Sequence, residues 1–159
     1  MSKIPNNANE EFVTLLLHEQ KILPSEVNRH IAIPIRVSQE YAWLVFKYEY
    51  QPKIFDDPIA SMEYIRKCAE ESSVSVESLM HEANALKNHL TLSIDSPDGW
   101  VGTAHRHNNK LEIVINSQRS TEGFLPTPIT MGKWIATVST HCVLSPVNVK
   151  LKVVGCKSL

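Results

Sequence analysis

Gly123-Phe-Leu-Pro-Thr-Pro-Ile-Thr-Met-Gly-Lys-Trp134 is a stiff loop that delivers the chain into a strand, and the period of that strand decides the fold. Pro126 and Pro128 fix φ and withhold backbone donors, while Gly123 and Gly132 take backbone angles that other residues resist. From Trp134 to Val143, the residues Trp134, Ala136, Val138 and Cys142 alternate with Thr137, Ser139 and His141. One apolar face at a period of two marks a half-buried strand.

The same period recurs on both sides. Phe12 to Leu17 and Arg29 to Val37 read as the first two strands, the second with Ile31, Ile33, Ile35 and Val37 on one face. Pro34 lacks a ladder donor there, which predicts an edge strand or a bulge. Leu44, Phe46, Tyr48 and Tyr50 form a third strand with an aromatic stripe, read as core rather than as a stacking platform. Downstream, Asn88 to Asp95, Trp100 to His107, Leu111 to Ile115 and Asn148 to Val154 complete the set. Pro97-Asp98-Gly99 and His107-Asn-Asn-Lys110 supply turn chemistry between them.

Between the third and fourth strands the period changes. Asp57 before Pro58 is a helix start, and Ile59, Met62, Ile65 and Ala69 keep helical spacing. Ser75 caps a second helix with Val76, Leu79, Met80, Ala83 and Leu86 on one stripe. The expected fold is therefore mainly β, an antiparallel β-sandwich or jelly roll with a two-helix insertion at about residues 57–87. Residues 1–10 read as a flexible lead-in and 11–159 as a single domain.

With 16 Lys and Arg against 17 Asp and Glu, the net charge is -1. That balance gives no basic excess for phosphates and argues against nucleic acid as a partner. No apolar run has the length of a membrane span, and the polar start lacks a secretory core. Both point to a cytoplasmic protein without a membrane partner. The three cysteines, Cys68, Cys142 and Cys156, fit no metal spacing and suggest a reducing compartment. Adjacent His141 and Cys142 point to opposite strand faces, which excludes a catalytic pair unless a bulge intervenes.

Three stretches together resemble a known domain: Arg29-His-Ile-Ala-Ile-Pro-Ile-Arg-Val37, Asn88-His-Leu-Thr-Leu-Ser-Ile-Asp95 with Pro97-Asp-Gly99, and the Gly123–Trp134 loop. The domain is the N-terminal β-sandwich of the CehA/McbA-like metallohydrolases, whose catalytic part is a separate PHP-type barrel. Glu122 and Thr127 stand where the resemblance leads one to expect proline and glycine. It implies a sandwich in an accessory role, and it does not carry over the hydrolase activity, because no barrel's worth of ligands is present.

Four histidines make the sharpest site expectation. His105 and His107 lie at i and i+2 and would project from one strand face, and His89 and His141 could join them in a cup for zinc. The alternative is a polar, hydrogen-bonded sheet face without any cofactor. For a ligand or protein partner, the expected contacts are Trp100, Arg106, Phe124 and Trp134. No nucleophile elbow, phosphate loop or dinucleotide fingerprint is present, so no catalytic residue is assigned. The favoured reading is a non-catalytic binding module. Its alternatives are a metal-dependent hydrolase subunit and a self-associating structural protein, a homodimer.

Overall fold

The computed structural model describes residues 10–82, 86–104 and 108–158. Its strands are β1 (Glu10–Ile22), β2 (His30–Val37), β3 (Trp43–Gln51), β4 (His89–Ser96), β5 (Gly99–Ala104), β6 (Lys110–Ile115), β7 (Gly132–Cys142) and β8 (Val147–Ser158). Two helices, α1 (Pro58–Ser72) and α2 (Val76–Glu82), lie between β3 and β4. The strands build two antiparallel four-stranded sheets, β1-β8-β3-β6 and β2-β7-β4-β5. Apart from the β4–β5 hairpin, every step along the chain changes sheet. That is the winding of a jelly roll.

Alternation explains why the sheets stack. Leu44, Phe46, Tyr48 and Tyr50 of β3 and Val147, Val149, Leu151 and Val153 of β8 face Ile33, Ile35, Leu90, Leu92, Ile94, Trp134 and Val138 from the other sheet, in one continuous buried cluster. Burial of each such side chain is worth about 1.5–3 kcal/mol relative to exposure. The aromatic stripe is core, as its period predicts. β2 is an edge strand, which leaves Pro34 without a donor to miss.

Three details depart from the sequence expectation. β1 runs on through the polar stretch to Ile22, because Leu17 to Ile22 pair with Val147 to Lys152. β8 likewise continues to Ser158 against Glu10 to Val13. On β7, Thr140 rather than Cys142 takes the next inward position. Its hydroxyl donates to the Glu26 carbonyl at 2.6 Å and accepts from the Arg29 amide at 2.9 Å, pinning the β1–β2 connection. A register shift between His89 and Leu90 then leaves Cys142 half-buried outside the core.

The insertion leaves and returns at one point. Ile54 bridges Lys87, and the Asn88 amide donates to the Lys53 carbonyl at 2.9 Å. Fully buried Asn88 is the knot, donating from Nδ2 to Pro52 O and Ser145 Oγ and accepting the Leu144 amide at 2.7 Å. Asp57 caps α1 by accepting from the Ile59 and Ala60 amides, with Pro58 at the first helical position. Ser75 likewise accepts the Ser78 amide ahead of α2. The predicted continuation of this second helix at Ala83 lies outside the described residues, and Leu86, expected on the same stripe, lies outside the helix and accepts the Phe55 amide at 2.9 Å.

The Gly123–Trp134 loop seals a sheet edge. The Thr103 amide donates to Gly123 O at 3.2 Å and the Leu125 amide to Val101 O at 2.8 Å, so the loop pairs with the outer side of β5. Glycine at 102 is what admits it: a Cβ there would sit 2.4 Å from the Gly123 oxygen.

Candidate binding face

Parity fixes what the β2-β7-β4-β5 sheet shows to the outside. With Val138, Leu92 and Ile94 inward, the residues Thr137, Ser139 and His141 of β7 and Thr91, Ser93 and Asp95 of β4 point away from the core, Thr91 being covered on that side and only 3% exposed. Register then sets them in rows. His30, Ser139 and Thr91 make one, Ala32, Thr137, Ser93 and Thr103 the next, and Pro34, Ile135, Asp95 and Trp100 the third. Strands lie about 4.8 Å apart and successive rows roughly 7 Å apart. The centre of this face is uncharged and rich in hydroxyls.

At one end of the face sit two of the four predicted histidines. His141 Nε2 is 2.8 Å from Thr91 Oγ1, and the His89 and His141 rings lie 5.2 Å apart between centroids. On the neighbouring edge strand His30 Nδ1 is 2.8 Å from Ser139 Oγ. His105, Arg106 and His107 lie outside the described residues. Among the described residues no group of three or more His, Cys, Asp or Glu side chains is gathered as a metal site.

α1 meets the sheet at the same end through Tyr64. Burial, with the Cys142 thiol beside it, pushes the Tyr64 hydroxyl up to about 12. Burial also pushes the Cys142 thiol up, so it is protonated at neutral pH and a poor nucleophile. Cys156 is shifted the same way, first by burial and then by Glu10.

At the opposite end stands Trp100, 59% exposed on β5. A register shift between Ile94 and Asp95 places it opposite Asp95, and its Nε1 donates to Thr103 Oγ1 at 3.3 Å. The indole is held on the outer face by its neighbour two rungs along. Phe124 and Trp134, expected to meet a partner, do not share this exposure. Trp134 is completely buried and donates from Nε1 to Thr130 O at 2.9 Å, and Phe124 fills the core beside Gly102. They position the loop from within instead of offering a surface.

The outer face of the other sheet has a different chemistry. Lys47, Glu49, Lys110, Glu112, Lys150 and Lys152 line an open trough of about 780 Å³. Lys47 pairs with Glu112 and Lys150 with Glu19, each at 3.5 Å, so much of its charge is neutralised in place. Beyond the charges, Val45, Val114 and Val154 form a small separate cluster with Trp43, whose ring carries the Arg119 guanidinium 4.8 Å from its centroid.

Thr103, Thr137 and His30 were not singled out from the sequence, because their shared face depends on a register that no local pattern encodes. Of the predicted contacts, Trp100, His89 and His141 reach the outer face of one sheet, with the tryptophan and the histidines at opposite ends. No protein-family model matches the chain, and no curated protein matches it.

Proposed function

We propose that the chain is a non-catalytic binding module that presents the outer face of the β2-β7-β4-β5 sheet to a ligand. The observation that carries this reading is Trp100. A large apolar ring is exposed and hydrogen-bonded in place at the end of a row shared with Pro34, Ile135 and Asp95, beside a row of hydroxyls. Exposed, oriented aromatics of this kind dominate binding energy where they are covered by a partner. The accessory role implied by the resemblance to the CehA/McbA-like sandwich agrees with it.

A second reading rests on the paired rings of His89 and His141. Two imidazoles at that separation can supply two ligands to zinc, with further ligands from elsewhere. In that version the chain is a metal-binding protein or a subunit of a metal-dependent hydrolase.

Thermal unfolding in the presence of defined ligands separates the two. A ligand at a hundred times its Kd stabilises the folded chain by about 2.7 kcal/mol. Under the first reading a ligand raises Tm for the wild type and not for Trp100→Ala. Under the second, zinc raises Tm and His141→Ala abolishes the rise. If neither substitution alters any ligand-induced shift, the face is not the binding surface.

A further inference from the structure

We propose that the Trp100 end of this face is a shelf for a neutral glycan, an inference that rests on the binding-module reading and names its ligand class. Three features converge there. The indole is exposed and held by the hydrogen bond to Thr103, and its aromatic surface suits the C–H-rich side of a pyranose. Directly opposite it in register is Asp95, a half-buried carboxylate able to accept two hydroxyl hydrogen bonds. The next row supplies the hydroxyls of Ser93 and Thr137, each a donor and an acceptor. Neither hydroxyl, nor the Asp95 carboxylate, makes a side-chain hydrogen bond or ion pair among the described residues.

Charge selects among ligands that could stack on an indole. A nucleotide or phosphorylated compound would bring its anion beside Asp95, and the row shared by Pro34, Ile135, Asp95 and Trp100 contains no cation. Among the described residues, the strand cations of this sheet, Arg36 and Lys133, sit one row beyond, across from one another on β2 and β7. A purely apolar partner would leave Asp95, Ser93 and Thr137 desolvated and unpaired, a cost of about 1–3 kcal/mol for each neutral group. An uncharged polyhydroxylated ring satisfies both the π surface and the polar groups around it.

The test is titration of the full chain with cello-, manno-, xylo- and malto-oligosaccharides and lactose, followed by tryptophan fluorescence and calorimetry. Trp134 is sealed in the core and Trp43 lies on the other sheet, so the fluorescence response should come from Trp100. We expect a saturable change with at least one of these sugars, weakened about tenfold or more by Trp100→Ala and about tenfold by Asp95→Asn. Trp100→Phe should retain part of the affinity, and Lys47→Ala on the opposite face all of it. Absence of a saturable response to every sugar overturns the glycan assignment, as does a bound sugar indifferent to Trp100→Ala. Heparin and a random peptide library serve as the anionic and peptide arms. Should one of them bind in a Trp100-dependent way while the neutral sugars do not, the ligand class falls and the binding module stands. Should Trp100→Ala change the binding of nothing, both fall.

Discussion

The two sheets bury nearly equivalent inner faces and expose unlike outer ones. On the β1-β8-β3-β6 sheet, Lys and Glu answer each other across the strands, and the apolar remainder gathers around Val45, Val114 and Val154. On the β2-β7-β4-β5 sheet, charge is nearly absent from the centre, hydroxyls take its place, and an indole stands uncovered at one end. The inward residues make the fold and are constrained by packing. Outward residues carry no such constraint, so a departure from ordinary solvated charge marks where something other than stability has shaped the surface.

The widest contrast to test is between the two tryptophans of the second sheet. Trp134→Ala removes a fully buried ring and its hydrogen bond to Thr130, and should cost about 3–5 kcal/mol in denaturant unfolding. Trp100→Ala should stay within about 0.5 kcal/mol of wild type. Comparable losses from both would mean that Trp100 is a packing residue and would remove the basis for a binding face.

A smaller effect probes the sealed edge beside that face. Gly102→Ala forces a methyl against the Gly123 oxygen and the Phe124 ring, with contacts near 2.4–2.6 Å. Displacing the loop should cost about 1–3 kcal/mol. Amide hydrogen exchange should report it specifically, with Thr103 and Leu125 losing protection while β3 and β8 keep theirs.

These elements differ in how plainly the sequence announces them. β3, β4 and α1 are local matters: alternation in Leu44–Tyr50 and Leu90–Ile94, and a cap at Asp57, need no knowledge of neighbours. The polar tail of β1 became strand because it pairs with the start of β8, and the end of β8 because it pairs with the start of β1, partners that no window of either contains. Trp134 illustrates a subtler case. Its alternation with Ala136 and Val138 already places it inside, although the proline-rich loop before it lies at the rim of the sheet. Trp100 could not be placed by alternation alone, because the register shift beside Asp95 resets the parity of β5. The histidine pair was visible as residue types, and its assembly depended on the β4–β7 register.

Within the core, two neighbouring tyrosines of β3, their rings tilted at 51° to each other, give a test of opposite sign. Tyr50 receives a hydrogen bond from Lys53 Nζ at 2.7 Å, whereas the buried Tyr48 hydroxyl, with the two rings 5.9 Å apart, has no partner among the described residues. Tyr48→Phe should therefore leave stability unchanged or raise it by about 1 kcal/mol. Burial, reinforced by Tyr50, raises the Tyr48 pKa far above the ordinary value. The folded state thus holds this proton more tightly than the unfolded one. Its contribution is full below about pH 10 and declines as pH rises further, when the unfolded chain ionises first. Wild type should lose stability more steeply than Tyr48→Phe between about pH 10 and 11.

The smallest effect belongs to the charged face, and its smallness is what the comparison requires. Lys47 and Glu112 are each about half exposed, at 53% and 45% of the side chain, so water and salt screen the 3.5 Å contact between them. A double-mutant cycle with Lys47→Ala and Glu112→Ala should give a coupling of about 0.2–1 kcal/mol, shrinking as salt is raised to 1 M. A coupling well above that range, or one insensitive to salt, would mean that the charges form a built site. The first sheet would then compete with the second as the functional surface. A weak, screened coupling leaves the lysine–glutamate ladder as a solvated exterior that keeps the sheet face soluble and its edge from pairing with other chains.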